Sequence, residues 1–169
     1  MIFTLIGMPG CGKSCMGRAI SKKLGIKNID ADKLIEQKYG KKLYELINEF
    51  GHDGFKKIEQ DVLLSIDFDN IILSTGGSAV YYSDVMERYK KLGKIIYLYC
   101  SYDVIEQRLG DFSKRGVLLK DGQTLRDLYE ERTALYKKYA DIIVDCSGND
   151  YYKYRSRVLA AIKGTIDNL

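Results

Sequence analysis

Histidine and proline occur once each in this chain, at His52 and Pro9, and tryptophan is missing. One histidine excludes the multi-histidine ligand sets of most zinc enzymes. The cysteines, Cys11, Cys15, Cys100 and Cys146, form no C-x-x-C pair, which removes zinc-ribbon and thioredoxin-type readings. Free thiols in a reducing compartment fit instead. Cys11 and Cys15 flank a helix start, where a thiol pKa can fall, so redox sensitivity is a question there. Packing as small apolar residues is the favoured role. No apolar stretch reaches the roughly 20 residues that span a bilayer. The apolar start lacks a signal peptide's basic residues, so a cytoplasmic location without membrane attachment is expected. There is also no block of like charge: 27 Lys+Arg against 23 Asp+Glu leave a net +4. That mild balance suits small anionic ligands and argues against a nucleic-acid partner. No linker, repeat or low-complexity segment interrupts the 169 residues, so one domain over 1–169 is expected.

What is present begins at once. Ile2 to Ile6 is a short apolar run, and Gly7-Met8-Pro9-Gly10-Cys11-Gly12-Lys13-Ser14 matches G-x-x-x-x-G-K-[ST]. A helical pattern follows through Cys15 and Met16. Strand, glycine loop and helix come in the order a phosphate cradle requires. The Gly10–Cys15 backbone then points N–H groups at phosphate oxygens, and the helix N-terminus adds partial positive charge. Lys13 neutralises β- and γ-phosphate charge, and the Ser14 hydroxyl holds Mg²⁺. The chain is therefore read as a nucleotide-binding protein.

Apolar periodicity predicts a helix over 13–24 closed by Gly25, and a strand over 26–29 running into Asp30-Ala31-Asp32. Helical spacing resumes at Leu34, pauses at Gly40 and continues to Phe50. Gly51 to Gly54 breaks it, and a further helix follows from Phe55 to Ile66. Strands are expected over 70–73, 94–99 and 142–144, with helices over 83–91, 101–109, 124–139 and 150–166. Five apolar strands alternating with helices define an α/β fold: a three-layer α/β/α sandwich with a five-stranded parallel sheet. Ligands in such sheets bind beyond the carboxyl ends of the strands. That rule selects 7–14, 30–32, 74–78 and the segment after Tyr99.

Asp30 and Asp32 suit two tasks on this rim: holding Mg²⁺ through water, and contacting an acceptor hydroxyl. A plain helix cap at Asp32 explains one acid but not the pair. Lys56 and Lys57 lie on a helix face where solvation is the ordinary outcome. Gly76-Gly77 after a buried strand marks a close backbone approach to a ligand or neighbour, or a tight turn. The segment 110–122 is long and polar, as lids are, with Arg115 at its centre for a transferring phosphoryl group. Arg132 follows on the next helix and either binds an anion or pairs with a nearby carboxylate. Arg108 either stacks on a base or faces its helix C-terminus.

Taken together, the chain resembles the shikimate kinase family, of the nucleoside-monophosphate-kinase type of P-loop fold. The glycine loop, Asp30-Ala31-Asp32, Phe55-Lys56-Lys57-Ile58-Glu59, Ser74-Thr75-Gly76-Gly77, the lid arginine and Arg132-Thr133-Ala134-Leu135-Tyr136 carry the resemblance. It implies ATP-dependent phosphorylation of the 3-hydroxyl of shikimate, with Mg²⁺, by a monomer. It further implies Asp30 on the metal's water shell, Asp32 as base and acceptor contact, and Gly76 and Gly77 lining the substrate pocket. Arg132 would bind the substrate carboxylate, with Lys56 where the family has a second arginine of that clamp. Arg115 is the lid arginine, and Arg108 matches the adenine-stacking position.

Four departures stand out. Lys56 replaces a fork-shaped guanidinium with a point charge. Ser78 stands where a third glycine is usual, and His52 where an acid is usual. The lid reads Arg115-Gly116-Val117-Leu118-Leu119, one residue longer than Arg-Pro-Leu-Leu and without its proline. All four bear on the acceptor, so two other readings are kept: a kinase for another carboxylate-bearing or polyol acceptor (gluconate-like), and an ATP-binding regulatory module without transfer. A nucleotide kinase lacks support in the arginine-poor lid, and a GTPase in the missing Asn-Lys-x-Asp.

Overall fold

The computed structural model describes residues 1–67, 69–110, 119–120, 122–148 and 150–167. Strand β1 (Ile2–Ile6) is buried along its whole length, which requires cover on both sheet faces. Helix α1 (Lys13–Leu24) ends at Gly25 in the left-handed region, and β2 spans Lys27–Asp30. Helices α2 (Ala31–Tyr39) and α3 (Leu43–Ser65) lead to β3 (Ile71–Ser74). A 3₁₀ turn at Ala79–Tyr81 precedes α4 (Ser83–Leu92) and β4 (Gly93–Tyr99). Helices α5 (Tyr102–Leu109) and α6 (Leu125–Tyr139), strand β5 (Ile142–Asp145) and helix α7 (Tyr151–Asp167) complete the described chain.

The five strands are parallel in the order β2-β3-β1-β4-β5, as the alternating pattern predicts. From β1 the chain passes through α1 to β2, on one side; from β3 it passes through α4 to β4, on the other. The connections diverge between β1 and β3, which opens a crevice at their carboxyl ends. Thr75 fixes that junction, its amide and hydroxyl both donating to the Leu5 carbonyl at 3.2 and 3.1 Å.

Three local expectations shift. Helix α2 begins at Ala31, because the Asp30 carboxylate accepts from the Lys33 amide at 3.4 Å and caps it. The capping role weighed for Asp32 thus falls to Asp30. The expected break over 51–54 is confined to Gly51 (φ 69°, ψ 178°), a kink within α3. The 3₁₀ turn was not expected from the pattern. Two apolar clusters fill the interior: a large one on the sheet, and a smaller one of Ile35, Leu46, Phe55, Ile58 and Val62 between α2 and α3.

Candidate active site

The glycine loop lies over the carboxyl end of β1. Gly12, with φ +99°, sits just before α1 in a conformation that L side chains rarely adopt. Among the described residues no side chain caps α1, and its first turn carries no acid, so its N–H groups and partial positive charge suit an anion. Lys13, 8 % exposed, donates to the carbonyls of Gly7 at 2.8 Å and Met8 at 3.0 Å. Ser74 Oγ donates to the Lys13 carbonyl at 3.1 Å and pins the start of α1 to β3.

Across from the loop, Asp32 lies in the first turn of α2. Burial and the neighbouring Glu59 charge push its carboxyl up to about 6, against an opposing pull from Lys13. Glu59, 2 % exposed, accepts from Ser78 Oγ at 2.9 and 2.6 Å and from the Tyr82 hydroxyl at 2.7 Å. Burial raises its pKa, while those hydroxyls and Arg132 pull the other way. The motif containing Glu59 is visible in the sequence, yet its role there is not. Its signal is an acid four residues after Phe55 and before Leu63, inside the apolar stripe of α3.

Gly76 and Gly77 do mark close approaches. A Cβ on Gly76 would stand 2.3 Å from Glu59 Oε1 and 3.2 Å from Asp32 Oδ1. One on Gly77 would stand 2.9 Å from both Arg132 Nη1 and Pro9 Cδ. Arg132 is 4 % exposed, donates from Nε to the Tyr81 hydroxyl at 3.4 Å, and lies 5.3 Å from the Tyr81 ring centroid. It makes no ion pair with a carboxylate among the described residues.

One cavity of about 450 Å³ brings Gly10, Gly12, Lys13, Ser14, Cys15, Asp32, Gly76, Gly77 and Arg132 together. Its wall also includes Thr75 from the selected 74–78 segment, Phe55 and Glu59, which the motifs contain without an assigned role, and Arg18, Leu43 and Ile47, which no motif marks. Cys11 is buried in the loop, whereas Cys15 is exposed and lies 3.5 Å from the Tyr151 hydroxyl. Lys56 stands apart: its amine pairs with Asp53 at 3.0 Å and lines a neighbouring cavity of about 390 Å³ with His52 and Tyr81. Arg108 donates to Cys100 Sγ at 3.5 Å and the Cys146 carbonyl at 3.4 Å, outside the walls of either cavity. Arg115 and the centre of the expected 110–122 lid lie outside the described residues.

The parallel sheet and the loop over β1 define a P-loop nucleotide-binding protein of the kinase type. The family model described as "Shikimate kinase" matches residues 9–163. The shikimate kinase of Francisella philomiragia is 35% identical over 148 residues, covering 85% of this chain and 84% of that protein. The Bacillus anthracis shikimate kinase is 34% identical over 142 residues, covering 83% and 86%. Among solved structures, the Acinetobacter baumannii shikimate kinase in complex with shikimate superposes with a TM-score of 0.87 at 28% identity, covering 96% of this chain and 93% of that one. The chain belongs to the shikimate kinase family and is a phosphotransferase with an alcohol group as acceptor.

Proposed function

We propose that this chain transfers the γ-phosphate of ATP to the 3-hydroxyl of shikimate. The observation that carries the reading is one shared cavity, lined by Lys13, Ser14, Asp32, Gly76, Gly77 and Arg132. It offers partners for a phosphate, a hydroxyl and a carboxylate in one space. The relative solved with shikimate bound supports the same acceptor.

In this reading the loop amides hold the β- and γ-phosphates, and Lys13 exchanges the Gly7 and Met8 carbonyls for phosphate oxygens. Asp32 takes the proton from the 3-hydroxyl. With its carboxyl at about 6 it is ionised at neutral pH yet more basic than an ordinary aspartate, as a general base should be. Arg132 holds the shikimate carboxylate through its planar fork, and Gly76 and Gly77 let the ring lie against backbone. Lys56 joins the carboxylate only by leaving Asp53. Arg108 stacks on adenine, and Arg115 supplies positive charge to the transferring group.

Mg²⁺ fits the residues present. The Ser14 hydroxyl, which lines the cavity, is a hard oxygen donor, as is the Asp30 carboxylate, which caps α2 and is not among the lining residues; Mg²⁺ typically combines one or two such groups with substrate phosphates and water. Ser14 would hold it directly and Asp30 through water, and bound Mg²⁺ would neutralise charge on the transferring phosphates. No helix of the described residues is long and apolar enough to cross a membrane. The chain is taken to act as a single-domain monomer in the cytoplasm, on small molecules rather than nucleic acid.

A coupled assay of ADP formation with MgATP tests the reading. Turnover dependent on shikimate is expected. Absence of turnover at millimolar shikimate, with turnover of another hydroxy acid or polyol, would move the acceptor to that compound.

A further inference from the structure

The 3₁₀ turn at Ala79–Tyr81 and its two flanking residues direct three hydroxyls to two different charges. Ser78, just before the turn, and Tyr82, just after it, both donate to Glu59; Tyr81, between them, accepts from Arg132. Glu59 and Arg132 are both almost fully buried, and both line the two neighbouring cavities. Each charge lowers the cost of burying the other, and the Arg132 charge does favour ionised Glu59. Buried charges are ordinarily paired, and these two line the same cavities. They do not pair here, among the described residues. The Glu59 oxygens are satisfied by hydroxyls, with Oε1 also packed against Gly76, and among the described residues Arg132 makes one long bond, from Nε to the Tyr81 hydroxyl.

We propose that Ser78 and Tyr82 are positioning residues for the acceptor: their hydroxyls hold Glu59 off Arg132 and keep the guanidinium free for the acceptor's carboxylate. The inference rests on the reading of Arg132 as the carboxylate anchor. Without the hydroxyls, Glu59 becomes an internal competitor that an incoming carboxylate must displace. Shikimate binding then weakens, while the glycine loop and ATP binding, on the other side of the cavity, are untouched. Position 78 thereby gains a purpose: a residue without a hydroxyl there could not hold Glu59.

The test is steady-state kinetics of the wild type, Ser78→Ala, Tyr82→Phe and the double variant, with shikimate and with its uncharged methyl ester. The double variant is expected to raise KM for shikimate about tenfold, the order expected for hydrogen bonds lost from a buried charge. KM for ATP stays within twofold, kcat falls less than KM rises, and the methyl ester shows no comparable change. Ser78→Thr, which keeps a hydroxyl, should recover most of the single-site loss. An unchanged KM for shikimate, or an equal rise for the ester and for ATP, would overturn the proposal. If the double variant does not fold, Tyr82→Phe alone decides, since it removes one oxygen: a KM rise of threefold or more supports the role, and no rise overturns it. Wild-type failure to turn over shikimate would instead reject the proposed acceptor, so the two failures are distinguishable.

Discussion

The two sides of the cavity are built in different ways. The donor side is one contiguous stretch, Gly7 to Ser14, whose backbone does the work and which rests on the large sheet core. The acceptor side is assembled from side chains: Asp32 on α2, Phe55 and Glu59 on α3, Ser78 at the 3₁₀ turn and Arg132 on α6. It rests partly on the small cluster between α2 and α3. A backbone site depends on a few local conformations, so it is tolerant of its neighbours. A side-chain site depends on long-range contacts, such as Glu59 to Tyr82 across 23 positions, so single substitutions reshape it. Of the departures from the family pattern, Ser78 lines this cavity and Lys56 and His52 line the neighbouring one, while Arg115-Gly116-Val117-Leu118 lies outside the described residues.

The comparison can be broken most strongly at the residue between the two sides. Asp32→Asn removes the proposed base, and kcat should fall about 10²- to 10⁴-fold with ATP binding retained by calorimetry. The same variant should melt higher at pH 8 than the wild type. The folded pKa of about 6 lies above the ordinary 3.8, so the fold bears the cost of a buried charge above pH 6. That cost vanishes below about pH 4, where both states are protonated, and the melting difference should vanish with it. Calorimetric melts at the two pH values check this.

Lys13→Ala tests the donor side. Loss of one preorganised cation should lower kcat about 10²- to 10³-fold, with shikimate binding intact. Parallel loss of shikimate binding would contradict separate sides. Leu46→Ala tests the small cluster: Leu46 is fully buried there, and its truncation should cost about 2–5 kcal/mol in denaturant unfolding. The smallest effect is expected at Lys56→Ala, because an exposed pair with Asp53 is worth about 0–1 kcal/mol. KM for shikimate should then change less than threefold, and a rise above tenfold would bring Lys56 onto the carboxylate.

The same contrast explains what the sequence reveals. Strand β1, the loop and α1 are legible because a strand, a glycine turn and a helix follow each other without any distant partner. The parallel sheet is legible because buried strands read as continuous apolar runs. The start of α2 is misplaced because either acid of Asp30-Ala31-Asp32 could cap it, and only the structure shows Asp30 doing so. The 3₁₀ turn is too short to carry a period. Asp32, Gly76, Gly77 and Arg132 are selected from motif resemblance and strand-end position, and the structure gathers them. Glu59 is overlooked because its meaning lies in Ser78 and Tyr82, which the chain returns only after β3. Lys56 shows the reverse: the motif places it on the acceptor, but its side chain turns to Asp53, three residues earlier on the same helix.

The most direct test of a divided cavity is Arg132→Lys, which keeps the charge and removes the planar fork. Steady-state KM should rise at least about tenfold for shikimate, as expected when a bidentate contact is lost, and stay within twofold for ATP. An unchanged KM for shikimate, or an equal rise for both substrates, would contradict the account.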